Sequence, residues 1–239
     1  MLFTDADCRP ATNQWIREMA SHFSKEKQLI LGYGAYEKKR GLLNKLIRFE
    51  TLMTAMQYFA YAKIGMPYMG VGRNLGYTSD LFYDNRGFMS HMNIASGDDD
   101  LFVNEAANTT NTALNYHPDA FTYSIPKTKY TDWILQKRRH ITTAKHYKLN
   151  HKLLLGLFYI SNVLFWTLAI LCFVFIDWKI PLAIFFFRCS LQYIFTGKAA
   201  KLLKEKDLIV FIPVLELFLV FAQLTIFISN SFSKPKRWK

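Results

Sequence analysis

From Leu153 to Ile176 the chain runs for 24 residues without one charged side chain, and no other feature limits its fold as strongly. At about 1.5 Å of rise per residue, a helix of that length crosses a hydrocarbon core of roughly 30 Å. The sequence therefore predicts a membrane-spanning helix there, with a soluble part over residues 1–152 and a membrane region over 153–239. A second span is expected at 208–229, interrupted only by Pro213 and Glu216. A shorter segment, 180–195, carries Arg188 and Gln192, and it suits a tilted span, a re-entrant piece or an interfacial helix. Ionisable groups within a membrane are costly unless paired, so Arg188 is expected to meet Glu216.

Charge supports the same division. The 239 residues carry a net charge of +12, split as +6 before Leu153 and +6 after it. In the second part the basic residues lie mainly between apolar runs and at the tail. That distribution fits anchoring at an anionic membrane face better than a nucleic-acid groove. With 51% hydrophobic and 16% aromatic residues, a disordered or collagen-like chain is excluded. Cys8, Cys172 and Cys189 are too scattered for a disulfide framework or a CxxC metal pair. Lys145, Lys148 and Lys152 place the soluble part on the cytoplasmic side. Three spans would put Lys198 to Lys206 inside and the tail Lys234 to Lys239 outside, whereas two spans reverse both, so the span count stays open.

Within the soluble part, Met1 to Thr4 reads as the tail of a buried strand with nothing before it to pair with, delivering Asp5 and Asp7 to its end. Trp15, Ile16, Met19 and Phe23 recur at helical spacing over 13–23. Gln28 to Tyr33 reads as a strand ended by Gly32 and Gly34. The stripe Leu42, Leu46, Phe49, Met53, Met56 and Ala60 predicts a helix over 37–63, either packed on a core or resting on a membrane. Residues 66–83, rich in Gly, Tyr and Met, suit loops and short strands. Helices are expected near 87–94 and 102–106, a strand over 121–125, and one long basic helix over 127–151.

Three polar clusters carry candidate chemistry. Asp5 and Asp7, two apart at a strand end, can approach one divalent ion whose remaining sites suit diphosphate oxygens, or they can simply be solvated. Asp98, Asp99 and Asp100 follow Gly97. Mutual repulsion raises the proton affinity of at least one of them, which suits a general base, although acidic residues also favour a helix N-terminus. Lys137, Arg138 and Arg139 form either a membrane-proximal basic face or a clamp on phosphate charge.

In order along the chain, Thr4-Asp5-Ala6-Asp7-Cys8, then Gly97-Asp98-Asp99-Asp100, then Gln136-Lys137-Arg138-Arg139 just before apolar spans, resemble membrane-embedded family 2 glycosyltransferases. The resemblance implies an α/β fold: a partial GT-A, Rossmann-like domain followed by two or three transmembrane helices. It implies that Asp5 and Asp7 form the DxD that holds Mg or Mn and the diphosphate of a nucleotide sugar. Asp98 and Asp99 match the acidic pair, with Asp99 as the base that deprotonates the acceptor and Asp100 as its substitute. Gln136 and Arg139 match QxxRW, with Arg139 near the diphosphate and Gln136 near the acceptor, while Arg73 and Asn74 lie in the segment facing donor and acceptor.

The implied partners are a nucleotide diphosphate sugar, a glycan or lipid-linked acceptor and the lipid bilayer, with no nucleic acid. The implied location is the cell membrane, multi-pass, with the catalytic part in the cytoplasm. Two departures stand out. His140 occupies the Trp position, which removes a stacking surface for a growing chain. The family also has a long nucleotide-binding portion before the DxD, so a missing N-terminal portion and an incomplete parallel sheet are expected. Two rivals are a non-catalytic membrane remnant or partner subunit and a metal-dependent lipid phosphotransferase.

Overall fold

The computed structural model describes residues 1–94 and 96–233; the basic tail Lys234 to Lys239 lies outside the described residues. The expected α/β class holds, with the strands in two small sheets. In the first, the order is β1 (Leu2–Phe3), β5 (Leu75–Tyr77), β3 (Leu29–Gly32) and β6 (Thr112–Asn115). The second runs β2 (Cys8–Pro10), β7 (Thr122–Ser124) and β4 (Gly34–Tyr36). Both sheets are mixed: β3 with β6 and β4 with β7 are parallel, and the remaining pairs are antiparallel. The expected strand at the start of the chain is an edge strand with a partner, because Leu2 pairs with Gly76 and Phe3 with Leu75.

The central strand explains the layering. Leu29, Ile30 and Leu31 are all fully buried, as a continuous apolar run covered on both faces requires. Side chains alternate along a strand, so Leu29 and Leu31 join the main core while Ile30 packs with Trp15, Met19 and Ala120. The helix α1 (Trp15–Ala20) supplies that second layer. The main core is roofed by α2 (Leu42–Lys63), whose Leu46, Phe49, Leu52, Ala55 and Tyr58 are buried. Of the two readings of the α2 stripe, core packing is the observed one.

Short helices α3 (Ser79–Asp84) and α4 (Asp100–Ala106) follow, and then α5 (Tyr130–Ala144). Two expectations fail for identifiable reasons. Residues 87–94 form turns rather than a helix, because Arg86 and Gly87 both sit at φ 58°, in the left-handed region. The basic helix expected over 127–151 breaks at Lys145 to Lys148. There Tyr147 turns inward to donate to Asp100, and the Lys148 amide donates to Asn104 Oδ1 at 3.0 Å.

Among the described residues, three segments are long and apolar enough to cross a membrane: α6 (Leu149–Phe175), α7 (Lys179–Leu202) and Lys206–Phe232. The last comprises a 3-10 turn, Lys206–Phe211, and α8 (Ile212–Phe232). The short segment at 180–195 is thus part of a full 24-residue helix. Arg188 meets Glu216 as the sequence predicts: Nη1 and Nη2 donate to its two carboxylate oxygens at 2.8 and 2.7 Å, and Nη2 also donates to Asn162 Oδ1 at 2.9 Å. One residue from each of three helices meets there.

A second buried arginine joins the apolar helices to the sheet domain. Arg48, 2% exposed, donates from Nε to Glu205 Oε2 at 2.9 Å and from Nη1 to Asp207 Oδ2 at 2.8 Å, and Glu205 is equally buried. Removing one member of such a pair strands the other charge in a low-dielectric interior. Arg48→Ala is therefore expected to cost about 3–5 kcal/mol, read as a fall in unfolding midpoint in detergent, with Arg48→Lys recovering only part because it lacks the guanidinium fork.

Candidate active site

A cavity of about 760 Å³ opens below the ends of β1 and β4 and continues down between α6 and α8. Asp5, Asp7, Asp98, Asp99 and Asp100 line its upper end together with Gln136, Arg139, His140, Gly72 and Arg73. The three sequence clusters, up to 134 residues apart between Asp5 and Arg139, thus share one space.

Gly72 is the meeting point. A Cβ built there would lie 3.3 Å from Asp99 Oδ2 and 3.5 Å from Asp5 Oδ1, so the two acidic clusters flank one glycine. Its amide donates to Asp99 Oδ2 at 2.7 Å, while the Asp100 amide donates to Asp99 Oδ1 at 2.7 Å. Asp99 caps α4 through that second bond, so the helix-terminus reading and the site reading describe one side chain. Burial first, and then the neighbouring Asp100 charge, push the Asp99 carboxyl up to about 7, against the lowering effect of the two amides. A carboxyl held there exchanges its proton near neutrality, as a general base requires.

The three consecutive carboxylates are not equivalent. Asp98 is exposed to the cavity. Asp100 is buried; its Oδ2 accepts from Thr143 Oγ1 and from Tyr147 OH at 2.6 Å, leaving Oδ1 without a hydrogen bond in the cavity wall. Those bonds tie Asp100 to α5.

Asp5, Asp7 and Cys8 bring their ligand atoms within 4.8 Å of one another. Asp5 is raised by burial and by the charges of Asp7 and Asp98, against the lowering pull of Arg73. A divalent cation relieves that repulsion, and two carboxylates suit Mg or Mn, so the residues fit the expected ion. The sequence reading missed Cys8, whose thiol lies 2.9 Å from Ser124 Oγ; its only signal was adjacency to Asp7.

Gln136, Arg139 and His140 stand at i, i+3 and i+4 and so share one face of α5, which is the cavity face. Gln136 Oε1 is buried there without a hydrogen bond. His140 is open to the cavity yet ringed by protein. Burial, then Lys137, Arg73 and Arg139, drive its pKa down, so the ring is neutral at pH 7. The run Lys137-Arg138-Arg139 is divided: Lys137 pairs with Glu50 at 2.5 Å, and Arg138 turns to the end of α8. Arg73 faces the cavity with its guanidinium 4.4 Å from the Tyr36 ring centroid.

Asn74 does not reach the cavity. It is fully buried; Oδ1 accepts from Trp15 Nε1, and Nδ2 donates to the carbonyls of Tyr33 and Ala120 at 3.0 and 2.7 Å. With every polar atom satisfied, it braces the two sheets, and its expected place at the substrate is corrected.

The lower half of the cavity changes character. Leu155 and Phe158 of α6 face Leu219, Ala222, Ile226 and Phe227 of α8, with Tyr159 and Gln223 the polar side chains contributed by these helices.

A family model described as glycosyl transferase family group 2 matches residues 2–226. The chain belongs to that family, and it is a glycosyltransferase. No curated protein matches the chain.

The Asp99 shift carries a sign that stability measurements read. A carboxyl raised in the folded state stabilises below its unfolded pKa, and that contribution is lost as pH climbs from about 4 to about 7. Asp99→Asn, which never ionises, is expected to lose the parent's decline in unfolding temperature between pH 5 and pH 8, on top of a pH-independent cost from turning its NH2 toward one of the two amides, measured in detergent without divalent ions.

Proposed function

We propose that this chain moves a hexose from a nucleotide diphosphate sugar to a hydroxyl on a lipid-linked acceptor, with inversion, in one displacement. The observation that carries this reading is Gly72, flanked by Asp5 on one side and Asp99 on the other within a cavity that continues between two apolar helices. Residues 1–152 form the catalytic part, on the cytoplasmic side of the cell membrane, and residues 153–239 the membrane part.

Asp5 and Asp7 would hold Mg or Mn, which when bound neutralises charge on the departing diphosphate. Asp99 accepts the proton of the acceptor hydroxyl on a carboxylate lone pair that remains after each oxygen has accepted one amide. The hydroxyl oxygen forms its bond to the anomeric carbon as the bond from that carbon to the diphosphate oxygen breaks. Arg139 and Arg73 supply fixed positive charge beside the diphosphate. Gln136, with an unpartnered carbonyl oxygen in the wall, orients the acceptor.

The apolar lower cavity supports an acceptor with a hydrocarbon tail over a free glycan. His140 supports single transfer, because a neutral imidazole offers less stacking surface than an indole for a growing chain.

The test uses the detergent-purified chain with UDP and GDP and the sugars they carry. Asp7→Ala is expected to abolish Mn-dependent nucleotide binding. Asp99→Asn is expected to keep binding while slowing transfer by about 10² or more, with membrane insertion unchanged in both. Normal turnover by either variant would refute the assigned roles. Turnover of a lipid phosphate without a sugar donor would favour a phosphotransferase, and a folded chain that binds no nucleotide would favour a non-catalytic membrane subunit.

A further inference from the structure

We infer that the acceptor is an uncharged lipid alcohol of the diacylglycerol kind, with its hydroxyl at the acidic end of the cavity and its acyl chains between α6 and α8, and not a lipid phosphate. The inference rests on the transferase reading above and deepens it by naming the acceptor's chemical class.

Charge within the cavity argues against an anionic acceptor. Among the described residues, six carboxylates line it, those of Glu50 and the five aspartates, against four cations, Arg73, Lys127, Lys137 and Arg139. Lys137 and Glu50 meet each other at 2.5 Å, which leaves five carboxylates and three cations, and the neutral His140 adds none. A divalent ion at Asp5 and Asp7, when bound, is matched in turn by the charge of the donor's diphosphate. The acidic excess therefore persists with the donor in place, and a second phosphate beside Asp99 would meet it as like charge. Such a phosphate would also have no use for a base, because a phosphate monoester is largely ionised near neutrality. A lipid hydroxyl brings no charge and needs a base to take its proton.

The lower cavity accounts for the rest of the molecule. Every side chain that α6 and α8 contribute to it is uncharged, and only Tyr159 and Gln223 are polar. The Tyr159 hydroxyl is buried without a hydrogen-bond partner, although folded proteins seldom leave buried polar atoms so. Its ring packs against Phe227, with centroids 5.0 Å apart, so packing holds the hydroxyl in place. A neutral donor in an otherwise apolar wall suits an ester carbonyl, which accepts a hydrogen bond and carries no charge. Access from the bilayer follows from the bareness of α6: His151 is its one buried residue, so the helix leaves its flank toward α8 unsealed and acyl chains can enter sideways.

In the transfer so defined, the lipid hydroxyl oxygen bonds the anomeric carbon and its proton passes to Asp99. The nucleoside diphosphate departs, and a glycosyl diacylglycerol remains.

A binding measurement made without any sugar donor separates this inference from catalysis. The full chain is reconstituted in phosphatidylcholine nanodiscs and probed with a diacylglycerol that carries a photoreactive diazirine in one acyl chain. Labelling is expected on the cavity faces of α6 and α8, with competition by dioleoylglycerol and none by undecaprenyl phosphate. Ala222→Trp, which fills the groove, should reduce labelling by about tenfold or more. Tyr159→Phe should weaken the competition by about three- to tenfold. Unchanged circular dichroism shows that both variants fold. Competition by undecaprenyl phosphate in preference to dioleoylglycerol would overturn the inference, and so would labelling of folded Ala222→Trp at the parent's level. A chain that binds diacylglycerol but transfers no sugar would refute the transferase reading and leave the lipid site standing. Sugar transfer to undecaprenyl phosphate alone would do the reverse.

Discussion

The buried carboxylate of Asp100 is the fastening on which the site depends. Accepting from Thr143 and Tyr147, it pins the last turn of α5 and the following bend to the loop that carries Asp98 and Asp99. The bend ends the helix, starts α6 in a new direction and sets the mouth of the cavity. Because α5 is held there, Gln136 and Arg139 face the acidic residues rather than solvent. The bonds are short and enclosed, where hydrogen bonds to a charged group are worth most. One consequence is that three adjacent aspartates acquire three separate jobs: Asp98 stays wet, Asp99 is aimed by two amides, and Asp100 serves structure.

Much of this was legible before any coordinates. A chargeless run of 24 residues predicts one long apolar helix, and α6 follows it to within a few residues. The basic helix expected over 127–151 carries Gln136 and Arg139 at i and i+3, hence on one face. The Arg188 to Glu216 pair was legible because charge in hydrocarbon demands a partner. What escaped was decided by contacts distant in sequence. Asn74 was expected in the segment facing donor and acceptor, yet its amide bonds Trp15, Tyr33 and Ala120. The break at Lys145 to Lys148 lies in good helical sequence and is made by Asp100 and Asn104, more than forty residues earlier. Residues 87–94 have helical composition, but two left-handed residues at their start turn the chain away.

Two arginines divide the labour of assembly. Arg48 is enclosed at the junction of the sheet-bearing and apolar helical parts, where its fork matches two acids brought by the connection between α7 and α8. Arg188 sits among apolar helices and draws on a carboxylate, an amide oxygen and the face of Phe165, whose centroid is 4.1 Å from its guanidinium carbon. The first fixes where the apolar helices attach, and the second fixes how they stand against one another.

That second cluster also makes the three helices unequal. Arg188 precedes Glu216 by 28 residues, so the α6 and α7 pair by itself offers its cation an amide oxygen and a ring face but no carboxylate. Glu216 adds the opposite charge, and α8 is the helix that locks the two before it.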